Sequence, residues 1–425
     1  MKVTAEVARR FLVARHFLAP ARSLKGGKAA VMEVIEKLGS IQFDPIAVAG
    51  RNHDLVLHAR VANYRPAWTD ELYMERTIFE AYNKGLSLVA TNEFPWFRGI
   101  LSPRPAQLLE DHADVAKRVL ARIRKDGAVS TLDFEREKGS ITDWFGAPAN
   151  TVREVLEALT LTGALGLARR DGNRRYYDLL GRLLPADVLK RKIPLEEQIR
   201  YKMLSRYRAH GLLGTAGVGD VYAGLGPDKP DPRVPGYIGR AAVRTQLIDR
   251  GDLVPIEIEG LRGKRFVLKE EVAALEAPPE PPPSVAFLPP FDPLVWDRPF
   301  LKALFGFEYV WELFHPPEKR RWGWYVLPIV FRDRFVGRIE PRIDRDNDRV
   351  EILDVWWEDG FPWRRADGFV DAMRDALGAY LRFAGVSKLE WPSHLTAEKR
   401  AIRAPESTPA RRDSPARTTQ RRSRP

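Results

Sequence analysis

Cysteine is absent from all 425 residues, and methionine occurs only five times. The first absence excludes disulfides, thiol nucleophiles, iron–sulfur clusters and cysteine zinc sites. The histidines (His16, His53, His58, His112, His210, His315 and His394) are scattered, and none forms a HExxH-type ligand pair. No metal and no cofactor is therefore expected. No apolar run reaches the roughly 18 residues of a spanning helix. The N-terminus alternates arginine with apolar residues where a secretory signal would be continuously hydrophobic. The expectation is a soluble, cytoplasmic protein without a membrane partner.

A composition of 44% hydrophobic, 30% charged and 10% aromatic residues is that of a globular chain, too long for one ordinary core. Lysine and arginine total 69 against 57 acidic residues, a net +12 that suits a polyanion. Half of that excess lies in the last thirty residues, which carry nine basic and three acidic side chains. That segment, 396–425, has no aromatic residue and no apolar period, and is expected to be a disordered basic tail. Its role is open between a solvated extension and a phosphate-binding arm.

Ala277-Pro278-Pro279-Glu280-Pro281-Pro282-Pro283 reads as a stiff linker over 277–284. Before it, one pattern recurs. Residues 149–162 have helical core spacing and a capping Asn150 or Thr151, and Gly163 stops them. ALGLARR, an Asp171-Gly172-Asn173 turn and RRYYDLL then form a hairpin. The order returns with RAAVRTQLIDR, Gly251, DLVPIEIE and KRFVLK. A looser copy opens the chain, with helices over 4–16, 28–38 and 53–61 and strands either side of Lys84-Gly85. Further helices are expected over 107–125 and 195–210.

These units predict an α+β fold of tandem winged helices over 1–104, 105–190 and 191–276. A small antiparallel β-domain over 285–395 follows, closed by a helix at 366–385. Its expected strands lie in SVAFLPP, WELFHPP, RWGWYVLPIVFRD, RFVGRIEPRID and DRVEILDVWWED. Asp344 to Asp348 resembles a calcium loop but lacks its glycine and terminal glutamate, and reads as a hairpin turn.

The segment Leu38-Gly39-Ser40-Ile41-Gln42-Phe43-Asp44-Pro45 carries the most chemistry. Pro45 biases Asp44 toward extended backbone, where residues two apart point the same way. Gln42 and Asp44 then project together, with Phe43 turned inward. An amide beside a carboxylate can orient a water and accept its proton. The alternative is that Asp44 caps the next turn and Gln42 is polar surface, and spacing alone favours that alternative. Candidate DNA contacts are Arg51, Arg60, Lys84 and the wing residues Arg169, Arg170, Arg174 and Arg175. Helix arginines usually cover a solvated face, and a basic hairpin also serves solubility, so both readings stay open.

LGSIQFDPIAVAGRNHDLVLHAR resembles the opening signature of the YcaQ/AlkZ family of DNA glycosylases, known for unhooking DNA crosslinks. Gln42-Phe43-Asp44 matches the glutamine–hydrophobe–acid form of that family's active-site motif. Arg51, His53, Leu55 and Arg60 match again. The similarity returns at Pro290-Phe291-Asp292-Pro293, Trp296-Asp297-Arg298, Phe305-Gly306-Phe307-Glu308-Tyr309 and Lys319-Arg320, so it spans nearly the whole folded chain. The chain departs from many relatives after Phe79-Glu80, where they carry a histidine and it reads AYNKGLSLVAT.

The resemblance implies a monofunctional DNA glycosylase, acting as a monomer at the nucleoid on double-stranded DNA that carries alkylated bases. Asp44 and Gln42 would be catalytic, with no lysine Schiff base to invoke, and Lys84 reads as a phosphate contact or a wing residue. The competing reading is a winged-helix DNA-binding protein or transcription regulator without catalysis. A third, an interaction scaffold, would need neither DNA nor Asp44.

Overall fold

The computed structural model describes residues 1–98, 101–134, 141–142, 148–215 and 221–402. It is a mixed α+β structure with several separate sheets. The first long helix, Ala5–Arg15, starts where the Thr4 hydroxyl accepts a hydrogen bond from Val7 N–H. The second, Lys28–Leu38, ends at Gly39 in the left-handed conformation. The third, Asn52–His58, is short and wholly buried. A fourth, Pro66–Met74, was not evident from periodicity. The hairpin Ile78–Tyr82/Leu86–Ala90 follows, and the two-residue strand Ile41–Gln42 adds to its second strand.

The middle stretch repeats this order. Thr151–Leu161 is capped by Asn150, whose side chain accepts from Arg153 N–H. It leads into the hairpin Leu165–Asp171/Arg174–Leu179. The single helix expected over 107–125 is instead two, Arg104–Asp111 and Ala113–Asp126. His112, at φ −125° and ψ 41°, leaves helical geometry between them. Helix Leu195–His210 matches its expected bounds. Arg240–Asp249 then precedes the third hairpin, Leu253–Ile258/Arg265–Leu268.

The C-terminal sheet differs from expectation in two respects. Its order is Val285–Phe287, Leu327–Phe331, Arg334–Asp344, Arg349–Trp357, Lys388–Glu390, and the last pair runs parallel, so the sheet is mixed. A chain returning through the covering helix Phe369–Ala384 arrives in that direction naturally. WELFHPP forms no strand: two prolines remove its N–H donors. The Asp344 to Asp348 stretch is the turn between the two longest strands. Thr396–Ala401, expected within the tail, is a helix pinned by buried Ile402 and by Trp357 Nε1–H donating to Glu398 (3.2 Å). The rest of the tail lies outside the described residues.

The proline-rich linker divides the sequence but not the core. Val31, Val34, Ile35, Leu57 and Val61 share one buried cluster with Leu327, Ile329, Phe369, Leu377 and Leu381. Phe11 and Leu12 pack instead with Ile256, Val267, Leu288 and Phe300. The strand Lys2–Val3 lies parallel to Leu253–Ile258. The first helix, assigned by order to the first unit, is therefore shared between the third unit and the C-terminal part.

Arg60 explains part of this docking. Its guanidinium is fully buried, donates to both carboxylate oxygens of fully buried Asp292 (2.7 and 2.9 Å) and to Val56 O (2.8 Å). Asp292 also caps Leu294 N–H. The expectation that Arg60 contacts DNA is thus corrected. A charge with this pairing and no exposure has no free face to offer a phosphate.

Candidate active site

Gln42 ends the short strand Ile41–Gln42, opposite Ser87, and Phe43 N–H continues the ladder to Leu86 O (2.7 Å). Alternation turns Phe43 inward and leaves Gln42 and Asp44 half-buried. The Gln42 Oε1 atom is buried and has no hydrogen-bond partner among the described residues. An unpaired buried amide oxygen is costly unless a water or ligand completes it. Gly85 makes room for that amide. A Cβ there would sit 3.1 Å from both Gln42 Cδ and Nε2.

Asp44 is held locally. Its Oδ1 accepts from Ile46 N–H (2.9 Å), so the turn-capping geometry weighed from sequence is present. That bond occupies one oxygen. Burial raises the Asp44 pKa above the ordinary carboxylate range, and the Ile46 hydrogen bond offsets only part of the rise. The result is a carboxylate whose charge is poorly solvated, which sharpens its attraction for a cation and for a proton.

Four separate stretches of chain meet around this tripeptide. From the same unit, Asn52 Nδ2–H donates to Gln42 O (2.7 Å), and its Oδ1 accepts from Phe291 N–H (3.1 Å), tying the motif to the C-terminal part. Tyr380 O–H reaches Ala49 O (2.5 Å), and Ile343 N–H reaches Val48 O (3.0 Å). Gly50, at φ +121°, lets the backbone pass Phe383, which a Cβ would meet at 2.9 Å. Tyr325, from the C-terminal part, is 1% exposed, and its hydroxyl has no hydrogen-bond partner among the described residues. Burial and then the nearby Asp44 charge push that hydroxyl well above its usual pKa.

From the second hairpin, Arg170 lies over the Phe43 ring at 3.8 Å, and Asn173 Nδ2–H reaches Pro45 O (3.4 Å). His53 stacks on Phe43 as well, at 5.1 Å and 20°. Burial lowers its pKa to about 4, so it is neutral at physiological pH. From the third unit, Ser205 and Arg206 bind the Asn83 side chain, fixing the turn that carries Lys84 and Gly85. Lys84 stands over the Trp296 ring at 5.3 Å.

The expected DNA-binding arginines separate by their partners. Arg170 is committed to a bidentate pair with buried Glu80 (2.5 and 2.7 Å), so its part is to fix the hairpin against the motif. Arg175 pairs with Glu157, and Arg51 with Asp54 and Asp70. Half-buried Arg169, stacked on Tyr176 at 3.5 Å, and exposed Arg174 pair with no carboxylate among the described residues. Sequence reasoning missed Asn52, Tyr325 and Arg170's pairing role. It also missed Phe314, the most exposed of the large apolar side chains at 83%. This residue packs on Trp311 (5.6 Å), which packs on Phe291 (4.7 Å), in the segment that carries Lys319, Arg320 and Arg321.

Among the described residues no helix is long and apolar enough to cross a membrane. Compared with solved structures, the fold is similar over 92% of this chain to the whole of Streptomyces sahachiroi DNA glycosylase AlkZ, with a TM-score of 0.56 and 19% identity. At that identity the likeness is one of fold. A family model described as DNA glycosylase AlkZ-like matches residues 35–383, from the second helix through the last long helix, and so takes in Gln42, Asp44 and every stretch that meets around them. The chain belongs to the AlkZ-like family of DNA glycosylases.

Proposed function

We propose that this protein hydrolyses the N-glycosidic bond of N7- or N3-alkylated purines in duplex DNA, with Asp44 and Gln42 as its catalytic pair. The observation that carries this is the pairing of an unsatisfied, buried Gln42 amide oxygen with a half-buried, pKa-raised Asp44 at the meeting point of four chain segments. An alkylated purine is cationic and leaves as a neutral base, so it needs little acid assistance. As the bond to C1′ lengthens, the sugar becomes an oxocarbenium-like cation. Asp44 stabilises that charge. Water held by Gln42 adds to C1′, its proton passes to the Asp44 carboxylate, and the bonding pair departs with the base. No Schiff base is required, which makes the enzyme monofunctional.

The three helix-then-hairpin units are, in this reading, winged helices that follow the duplex. Arg169, Arg174 and Lys84 supply phosphate contacts, and unhooking of interstrand crosslinks is the same chemistry applied to a base tethered across the strands. A transcription regulator would have no use for a poorly solvated carboxylate beside an unpaired amide. The deciding experiment incubates the protein with N7-alkylguanine duplex and assays alkali-labile abasic sites. Strand-specific abasic sites support the glycosylase. Tight, sequence-selective binding without any abasic product supports the regulator.

A further inference from the structure

A concavity of about 570 Å³ lies between the C-terminal end of helix Asn52–His58, the Ala21-Arg22 segment and helix Phe369–Ala384. Its lining includes Arg22, Arg65, Arg374 and Arg382, against a single carboxylate, Asp375. Arg374 is engaged by Asp371 (2.7 Å) and by Ala401 O (2.7 Å). The Arg22 and Arg382 guanidinium groups make no hydrogen bond or salt bridge among the described residues. His58, 4% exposed, also lines the space, and its Nε2 is buried without a hydrogen-bond partner among the described residues.

We propose that this cavity is an anion site that takes a phosphate group, held by Arg22 and Arg382 with His58 Nε2 as a third polar contact. Three observations support this. Guanidinium groups without a carboxylate partner readily take an oxyanion, and phosphate, with several acceptor oxygens, suits groups that approach from different sides. Burial lowers the Arg22 pKa to about 10, and the nearby Asp375 charge opposes that more than the Arg382 charge adds to it, so one carboxylate is shared by this basic cluster. Burial, then Arg22 and Arg382, hold His58 well below its usual value, so it meets the anion as a neutral imidazole that can donate from Nε2. An oxyanion between them adds a second negative charge to a cluster that has only Asp375, and fills the vacant Nε2 contact.

The source of the phosphate is either the DNA backbone or a free phosphorylated small molecule. Helix Asn52–His58 joins the cavity to Asn52 at the Gln42 backbone, and six residues at 1.5 Å put the two about 9 Å apart. A duplex lying at Asp44 could therefore place a backbone phosphate here. The site itself does not depend on the chemistry assigned to Asp44.

The test titrates inorganic phosphate into the full-length protein by calorimetry, against sodium chloride of equal ionic strength. The wild type is compared with Arg22→Gln, Arg382→Gln and His58→Gln. Saturable phosphate binding is expected, weakened about tenfold or more by either arginine variant, the scale of one charge-assisted hydrogen bond. Arg382 is exposed, so its variant keeps the test sound should either of the others fail to fold. Competition between phosphate and undamaged duplex assigns the DNA backbone as the source, and its absence assigns a free phosphorylated ligand. No binding beyond the chloride control, or equal binding by wild type and Arg382→Gln, overturns the proposal.

Discussion

Replacing Asp44 with asparagine separates chemistry from architecture at this site. Asparagine retains an Oδ1 that can accept from Ile46 N–H, so the turn that Asp44 now caps is kept. It also removes a charge that burial makes costly. A carboxylate whose pKa is higher in the folded than in the unfolded state favours folding when protonated, and loses that contribution as pH rises through the folded value. At neutral pH the neutral asparagine therefore leaves stability unchanged or slightly higher. The reaction loses both the negative charge opposite the sugar cation and the proton acceptor for water, and excision should fall by about 10² or more. Gln42→Ala should cost less, because misplaced water can still reach the carboxylate. Single-turnover excision of N7-alkylguanine at saturating enzyme, with thermal midpoints measured in parallel, reads both effects. A folded Asp44→Asn protein that excises at the wild-type rate would refute the catalytic role. One that unfolds would show that the carboxylate is a structural requirement beyond the cap that asparagine keeps.

Other outcomes follow from the same contacts. Arg60→Ala strands the buried Asp292 charge and should destabilise the protein by about 3–5 kcal/mol in denaturant titrations, whereas Arg60→Met with Asp292→Leu should recover much of the loss. Gly85→Ala pushes a Cβ to 3.1 Å from the Gln42 amide and should lower the excision rate several-fold to about 10²-fold while the melting temperature holds, the usual scale for a displaced reacting group. Burial depresses the pKa values of His53 and His210 to about 4 and those of His16 and His58 well below 6.5, so the unfolded chain binds more protons in this range. Their contribution to stability is complete above pH 6.5 and is lost as pH falls toward 4, at about 1.4 kcal/mol per unit of separation, and urea midpoints across that window should decline accordingly. Truncation after Ile402 removes seven arginines and two acidic residues, and should flatten the salt dependence of DNA binding without changing the saturating single-turnover rate.

Much of the local structure was legible because local chemistry dictates it. The Asp171-Gly172-Asn173 turn, the Asn150 cap and the amphipathic spacing of Leu195–His210 each settle their own geometry within a few residues. The burial of Phe43 between half-buried Gln42 and Asp44 was legible for the same reason: an extended backbone alternates its side chains. Charged residues were not. Arg60, Arg170 and Arg174 look alike in sequence, yet one meets a carboxylate 232 positions away, one meets Glu80 from a different hairpin, and one faces solvent. A helix or strand pattern records which side of an element is apolar, and says nothing of which acid another element delivers there. Asn52 and Tyr325 were hidden likewise, because each matters only through contacts made across the fold.

The way the motif is held bears on why a sequence this long serves one small site. Gln42 and Asp44 belong to an eight-residue segment with little regular structure of its own, a two-residue strand and a turn. A segment of that kind cannot keep an amide and a carboxylate in fixed relation without outside support, and each support comes from a different part of the chain. Phe291 reaches it through Asn52, the second hairpin through Arg170 and Asn173, and the third unit through Asn83. The buried Arg60–Asp292 pair and the core shared across the proline-rich linker then lock the first and last of these parts together. The proposed placement of water by Gln42 demands precision of a fraction of an ångström, and elements packed on the motif from several sides are the kind of support that it calls for. The residues on the two sides of the proline-rich stretch therefore complete one core and meet at the same candidate active site.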